Sequence, residues 1–121
     1  MSEIPKQIKV GGEYLAIFEE DLEGRYGLYS GDQEVIKIEK SLPFKRKIRI
    51  LLHEILHHID YVYGLNISHR AIYTLAYSLL SIIYDNPELL KLLDIYCKTT
   101  YNYYDVKFKI IEAIENVTGK R

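Results

Sequence analysis

Three residues near the middle of the chain have types and spacing suited to hydrolytic metal chemistry. His53, Glu54 and His57 stand in the pattern His-Glu-x-x-His. Residues four apart on an α-helix share a face, so the two imidazoles can converge on one metal ion. Glu54 lies about 100° round the helix from His53, where its carboxylate can reach water on the metal without ligating it. Zinc lowers the pKa of such a water, and the carboxylate can take its proton.

A zinc site of this kind needs a third protein ligand, for which the sequence offers several alternatives. All four histidines lie between positions 53 and 69. His69 is a candidate ligand, because the segment 64–68 can span up to about 17 Å and return it to the first two histidines. Asp60 lies three residues after His57 and shares its face. We expect Asp60 to hold the His57 ring rather than to ligate the metal itself.

Four further residues are less favoured for a chemical role. Tyr73 and Tyr77 are expected mainly to pack in the core, although one of their hydroxyls is an alternative ligand or a donor to a developing oxyanion. His58 points about 100° away from the metal-facing side, so a structural or exposed position is expected. Cys97, far along the chain, is expected to be a small buried hydrophobe.

The elements that must position the motif are a small sheet and the helices that follow it. Alternating apolar residues predict short strands at 6–10, 13–18, 25–29 and 34–39. Helical periodicity predicts helices at 44–63, 69–84, 88–97 and 105–117. Gly64 is expected to end the first of these helices, and Ser68 to cap the second. The expected fold is therefore α+β: an antiparallel sheet of three or four strands, at about 6–40, packed on the motif helix, with about three further helices up to 118.

Composition narrows the class of protein further. The chain has 121 residues, of which 48% are hydrophobic, which fits a single domain over 1–121 with one modest core. One cysteine excludes an internal disulfide framework and a Cys-rich zinc finger. The N-terminus has no secretory pattern and no segment is apolar enough to span a bilayer, so we expect a cytoplasmic protein without a membrane partner.

A basic cluster begins the motif helix, at Lys45, Arg46, Lys47 and Arg49. Such a cluster is usually a solvated face balanced by nearby acids. Nucleic-acid association is a weaker alternative, because the net charge of the whole chain is only -1.

The sequence resembles a family of small phage- and prophage-encoded zinc metallopeptidases, related to the SprT-like and ImmA/IrrE-like groups. The residues that carry the resemblance are the run 51–65 (LLHEILHHIDYVYGL), Ser68-His69 and the run 84–87 (YDNP), and it covers roughly 6–90. It implies a minimal zincin in which His53 and His57 bind zinc and Glu54 is the general base. His69 matches the third histidine of SprT-like members. ImmA-like members carry a glutamate on the second helix, and this sequence has no acid between Asp60 and Asp85.

Two functions follow from these expectations. The first is zinc-dependent hydrolysis of peptide bonds in a protein or peptide substrate, with Glu54 as general base. The second is an inactive zincin-fold module for binding or regulation, with DNA association as a further alternative, and the missing acidic ligand motivates it. The natural substrate and the oligomeric state are left open.

Overall fold

In a computed structural model of the chain, the described residues are 4–98, 111–112 and 114–115. The elements, in chain order, are β1 (Gln7–Val10), β2 (Glu13–Glu20), β3 (Gly27–Ser30), β4 (Val35–Glu39), α1 (Phe44–Tyr63), α2 (His69–Asp85) and α3 (Pro87–Lys98). A small sheet followed by helices confirms the predicted α+β class. The predicted last helix, 105–117, falls largely outside the described residues.

The sheet is mixed, which differs from the expected antiparallel pairing. Its strand order is β1-β2-β4-β3, with β2 and β4 parallel and the other two pairs antiparallel. After β2 the chain does not form the neighbouring strand of the sheet but the edge strand β3. It then returns, and β4 lies between β2 and β3. The physical reason lies in the two strands. The branched apolar residues of β4 favour the buried centre, whereas β3 is short and begins with Gly27, which suits an edge.

The core forms between one face of this sheet and α1. Leu15 and Ile17 of β2 are buried and alternate with less buried neighbours, and Ile36 and Ile38 of β4 do the same. This two-residue period directs all four side chains to the same face. With Ile4 and with Leu51 of α1 they make the buried cluster.

The edge strand β3 runs alongside α1 in the same direction, with alternate residues facing the helix. A Cβ built on Gly27 would lie 2.5 Å from Ile50 Cγ2 and 2.8 Å from Glu54 Oε2. Two residues on, the Tyr29 hydroxyl and His58 Nδ1 share a hydrogen bond of 2.7 Å. His58 is only 3% exposed, so its predicted structural role is confirmed. Because Gly27 has no side chain, the strand can approach the part of α1 that carries Glu54.

The connection between α1 and α2 follows the predicted signals. Gly64 ends α1 in the left-handed conformation, with φ of 61°. Ser68 caps α2, since its Oγ accepts a hydrogen bond from the Ala71 N–H at 3.1 Å. These two residues bound a short loop that turns the chain back towards α1.

By its internal contacts the chain divides into two compact units, 1–78 and 79–121. Within the second unit, α3 has no buried residue, and an ion pair joins Lys98 to Asp94 one turn earlier. Cys97 is exposed, so the expectation that it is buried is wrong: no described residue of that unit covers its face of α3. Among the described residues, none of the helices has the length and apolarity needed to cross a bilayer.

Candidate metal centre

Three imidazoles from two helices converge at one point in the first unit. The possible ligand atoms of His53, His57 and His69 all lie within 4.8 Å of one another. The Nε2 atoms of His53 and His57 are 3.1 Å apart. Two ring nitrogens that bind one metal ion tetrahedrally at about 2.0–2.1 Å lie about 3.3 Å apart, so the separation of this pair suits two ligands of one ion. The three histidines therefore lie close enough to bind one metal ion.

His69 reaches this point because of the loop that precedes it. Its ring centroid lies 5.0 Å from that of His53 and 5.1 Å from that of His57. The backbone N–H of Ile67 donates a hydrogen bond of 2.8 Å to Asp60 Oδ1, and the N–H of Leu65 donates to the Asp60 carbonyl at 3.2 Å. Both bonds tie the loop to the last turns of α1, and so they position His69.

Asp60 therefore acts on the site differently from the expectation. Its carboxylate accepts a hydrogen bond from the loop rather than from the His57 ring. It is not among the described groups that could hold a metal ion. Its charge nevertheless acts on His57, since it partly offsets the lowering of the His57 pKa.

Burial favours the neutral form of two of the imidazoles, those of His53 and His57. Burial lowers the pKa of His53 to about 4, and His57 and His69 beside it add to the effect. Burial also lowers the pKa of His57, again with a contribution from His69. Metal ligation requires the neutral form of the ring, so the lowered pKa values of His53 and His57 favour metal binding by these two rings.

Glu54 lies beside the cluster in a buried position. It is 7% exposed, and burial raises the pKa of its carboxyl to about 7. Helix α1 turns its side chain away from the histidine face and towards Gly27 of the edge strand. A carboxyl group whose pKa is close to neutrality is suited to accept and return a proton.

A cavity of about 280 Å³ opens at the site. The residues that line it are Tyr26, Gly27, Arg49, Ile50, His53, Glu54, His69, Tyr73 and Ala76. Tyr73 is 56% exposed and its ring centroid lies 6.3 Å from that of His53. Tyr77 is 54% exposed and packs against Arg49. The expectation that both tyrosines pack in the core is therefore wrong, because α2 buries the face that carries Ile72 and Ala76, about 100° round the helix from the two tyrosines.

Arg49 and Gly27 line the cavity, although the sequence does not indicate either of them as a site residue. Arg49 was assigned only to the basic cluster, although its position four residues before His53 places it on the same face of α1. Gly27 carries no chemical signal in the sequence, since its closeness to Glu54 depends on how strand and helix pack.

The basic cluster at the start of α1 is not a uniform charged surface. Lys47 pairs with Glu19 of β2. The Arg46 guanidinium lies 4.7 Å from the ring centroid of Tyr26, and that of Arg49 lies 5.6 Å from the ring centroid of Tyr77. One cation is thus offset by an acid, and two are held against aromatic rings.

The fold and the site together define a small α+β protein with three histidines close enough to bind one metal ion. Comparison of the chain with protein-family models, with curated proteins and with solved structures gives no match. The histidine cluster and the buried carboxylate beside it are therefore the observations on which a functional proposal rests.

Removing the Asp60 carboxylate should weaken zinc binding without removing a ligand. We expect Asp60→Ala to lower the affinity for zinc by about 10–100-fold, because the loop that positions His69 loses its anchor. Asp60→Asn retains an oxygen that can accept the Ile67 N–H bond, so it should keep most of the affinity. Competition with a chromogenic chelator measures both variants, and equal affinity of Asp60→Ala and the natural chain would contradict the positioning role.

Proposed function

We propose that the chain is a zinc-dependent metallopeptidase of the minimal zincin type. The observation that carries the proposal is the convergence of His53, His57 and His69 beside the buried carboxylate of Glu54. Three nitrogen ligands with one position open for water or substrate are typical of catalytic zinc sites. A structural zinc site would instead need a fourth protein ligand, and the described residues offer only these three in the cluster.

The residues divide the chemistry of peptide hydrolysis between them. The three histidines would hold zinc, which when bound supplies Lewis acidity that polarises a carbonyl and acidifies water. Glu54 is adjacent to His53 in the chain but is turned away from the shared ligand face. From there its carboxylate would take a proton from the attacking water and return it to the leaving amine. The raised pKa of Glu54 favours the first of these transfers, because a more basic carboxylate takes up a proton more readily.

The edge strand offers a way to bind the substrate. Among the described strands β3 pairs with β4 alone, and the Glu39 N–H donates to the Tyr26 carbonyl at 2.9 Å. In an antiparallel pair the bonded residues alternate, so the backbone groups of Gly27 and Tyr29 are directed to the open edge. An extended peptide that added to this edge would pass beside Glu54, and main-chain pairing would tolerate many sequences.

The motif and its flanks support a narrower proposal. The spacing from the His-Glu-x-x-His motif to His69 is similar to that of SprT-like peptidases, in which a third histidine follows after a turn. The position of His69 within the cluster is what such a ligand requires. We therefore favour the SprT-like pattern over the ImmA-like one for this chain.

Metal analysis and a cleavage assay test the proposal together. The purified chain, incubated with zinc and desalted, should retain about one zinc ion per molecule. It should then cleave an unfolded protein such as reduced casein, with products identified by mass spectrometry, and a chelator should stop the reaction. Failure to retain zinc would contradict the metal site. Zinc retained without any cleavage would instead favour the inactive binding module.

A further inference from the structure

Arg49 brings a permanent positive charge into the cavity that holds the histidines. It lies one helical turn before His53 on α1 and lines the same cavity as His53 and Glu54. Its side chain is half-buried, and its guanidinium lies 5.6 Å from the ring centroid of Tyr77. The ring limits the positions of the guanidinium, so its donors are partly ordered before any ligand arrives.

No described carboxylate neutralises this charge. The ion pairs among the described residues are Lys37 with Glu20, Lys47 with Glu19, and Lys98 with Asp94. Glu54 is the one acid among the described lining residues, and burial, with no compensating cation, governs its pKa. A guanidinium in a cavity, without an acidic partner, is a binding group for an anion that comes from outside.

The position of Arg49 determines where that anion would lie. Four residues separate Arg49 from His53, about 6 Å along the helix axis. One residue of an extended peptide spans about 3.3–3.6 Å. A carboxylate held by Arg49 would therefore belong to a residue next to, or very near, the bond at the metal centre. The volume of about 280 Å³ suits a side chain or a chain end rather than a folded partner.

From this geometry we propose that Arg49 is a specificity-determining residue, which selects peptides that carry a carboxylate beside the scissile bond. The inference rests on the proposed peptidase function. The carboxylate is either the side chain of an aspartate or glutamate, or the C-terminal carboxylate of a short peptide. Both offer the planar pair of oxygens that a guanidinium binds through two parallel hydrogen bonds.

The test uses matched peptides and the zinc-loaded full chain. The parent peptide contains a bond that the chain cleaves, and the residue on each side of that bond is set in turn to Glu or Gln. Each peptide is made with a free and an amidated C-terminus. We expect kcat/KM to favour the carboxylate by at least about 10-fold, because a charge-assisted hydrogen bond is lost in the neutral peptide. Loss of the preference on amidation identifies the C-terminal carboxylate as its source, and a Glu-to-Gln difference identifies the side chain.

Arg49→Gln is the decisive variant. It should abolish the preference, because kcat/KM for the carboxylate peptide falls to that for the neutral peptide. Arg46→Gln is the matched control: it removes a guanidinium that also lies against a tyrosine ring but does not line the cavity, and it should leave the preference intact. Circular dichroism and zinc content confirm that Arg49→Gln is folded and loaded.

A binding measurement separates failure of this inference from failure of the peptidase proposal. Fluorescein-labelled forms of the same peptides are titrated with zinc-loaded Glu54→Gln protein, with and without Arg49→Gln, and followed by anisotropy. If turnover is absent, the Glu and Gln peptides are instead built on segments of casein; Arg49-dependent binding of the carboxylate forms would then support carboxylate selection by Arg49, although the peptidase proposal fails. Equal cleavage and equal binding of carboxylate and neutral peptides, at both positions and both chain ends, would overturn the role of Arg49.

Discussion

Glu54→Gln is expected to retain zinc and to lower peptide cleavage by about 10²–10⁴-fold, the usual contribution of a general acid–base group. The amide keeps the size of the side chain but cannot take a proton from water. It lies outside the three-histidine cluster, so zinc content should stay at about one ion per molecule. Cleavage of reduced casein and of the parent peptide, followed by mass spectrometry, measures the loss.

The matched control is Glu13→Gln, which removes an exposed carboxylate from β2 and should leave cleavage unchanged. Cleavage by zinc-loaded Glu54→Gln at the rate of the natural chain would show that another group, or no group, moves the proton. The mechanism assigned to Glu54 would then be wrong, although the metal site would stand.

The same variant has a second readout, the pH dependence of stability in the metal-free protein. Burial raises the pKa of Glu54 from 4.5 to about 7 in the folded chain. The stability linked to this group is therefore fully present below about pH 4.5 and is lost as the pH rises to about 7. The lowered pKa of His53 acts in the opposite direction, because its contribution is present above pH 6.5 and is lost towards about pH 4.

The difference between the natural chain and Glu54→Gln isolates the carboxyl contribution, since His53 is present in both. Between about pH 4.5 and 7 the natural chain loses the carboxyl contribution and Glu54→Gln does not. We therefore expect the free energy of unfolding of Glu54→Gln to rise relative to that of the natural chain over this range. Urea denaturation at a series of pH values measures it. A constant difference over this range would mean that the carboxyl group is not desolvated in the folded protein.

His69→Ala should lower the zinc affinity by at least about 100-fold, the upper end of what loss of a supporting residue costs, because a direct ligand is removed. His69 is exposed, unlike His53, so its removal should leave the fold intact. Loss of affinity can then be attributed to the metal site rather than to unfolding. Cleavage at low zinc concentration should fall in parallel.

Arg70→Ala is the control for this variant, since it alters the exposed neighbour in the same turn of α2 without touching the cluster. Zinc affinity is measured by competition with a chromogenic chelator, and folding by circular dichroism. If His69→Ala binds zinc as tightly as the natural chain, the third ligand must come from elsewhere, and the SprT-like pattern would no longer describe this protein.

The local features of the chain could be predicted closely from its residues. The bounds of α1, Gly64 as its end and Ser68 as the cap of α2 all follow from signals within a few positions. The shared face of His53 and His57 is also a local feature, because four residues make about one turn of any α-helix. Covalent geometry and helical period settle these features wherever the helix lies.

Features that depend on contacts between distant segments could be known only from the tertiary structure. The order of the strands, with β4 inside β3, depends on which strand gains more from burial at the centre of the sheet. The closeness of Gly27 to Glu54, and the place of Arg49 in the cavity, depend on how α1 packs on that sheet. The length of the segment between the helices allows His69 to lie beside His53 and His57 but does not require it. The hydrogen bond from the Ile67 N–H to Asp60 holds the loop so that His69 lies there. Helical spacing is a property of neighbouring residues, whereas these contacts arise only when the path of the loops and the burial of the core are known.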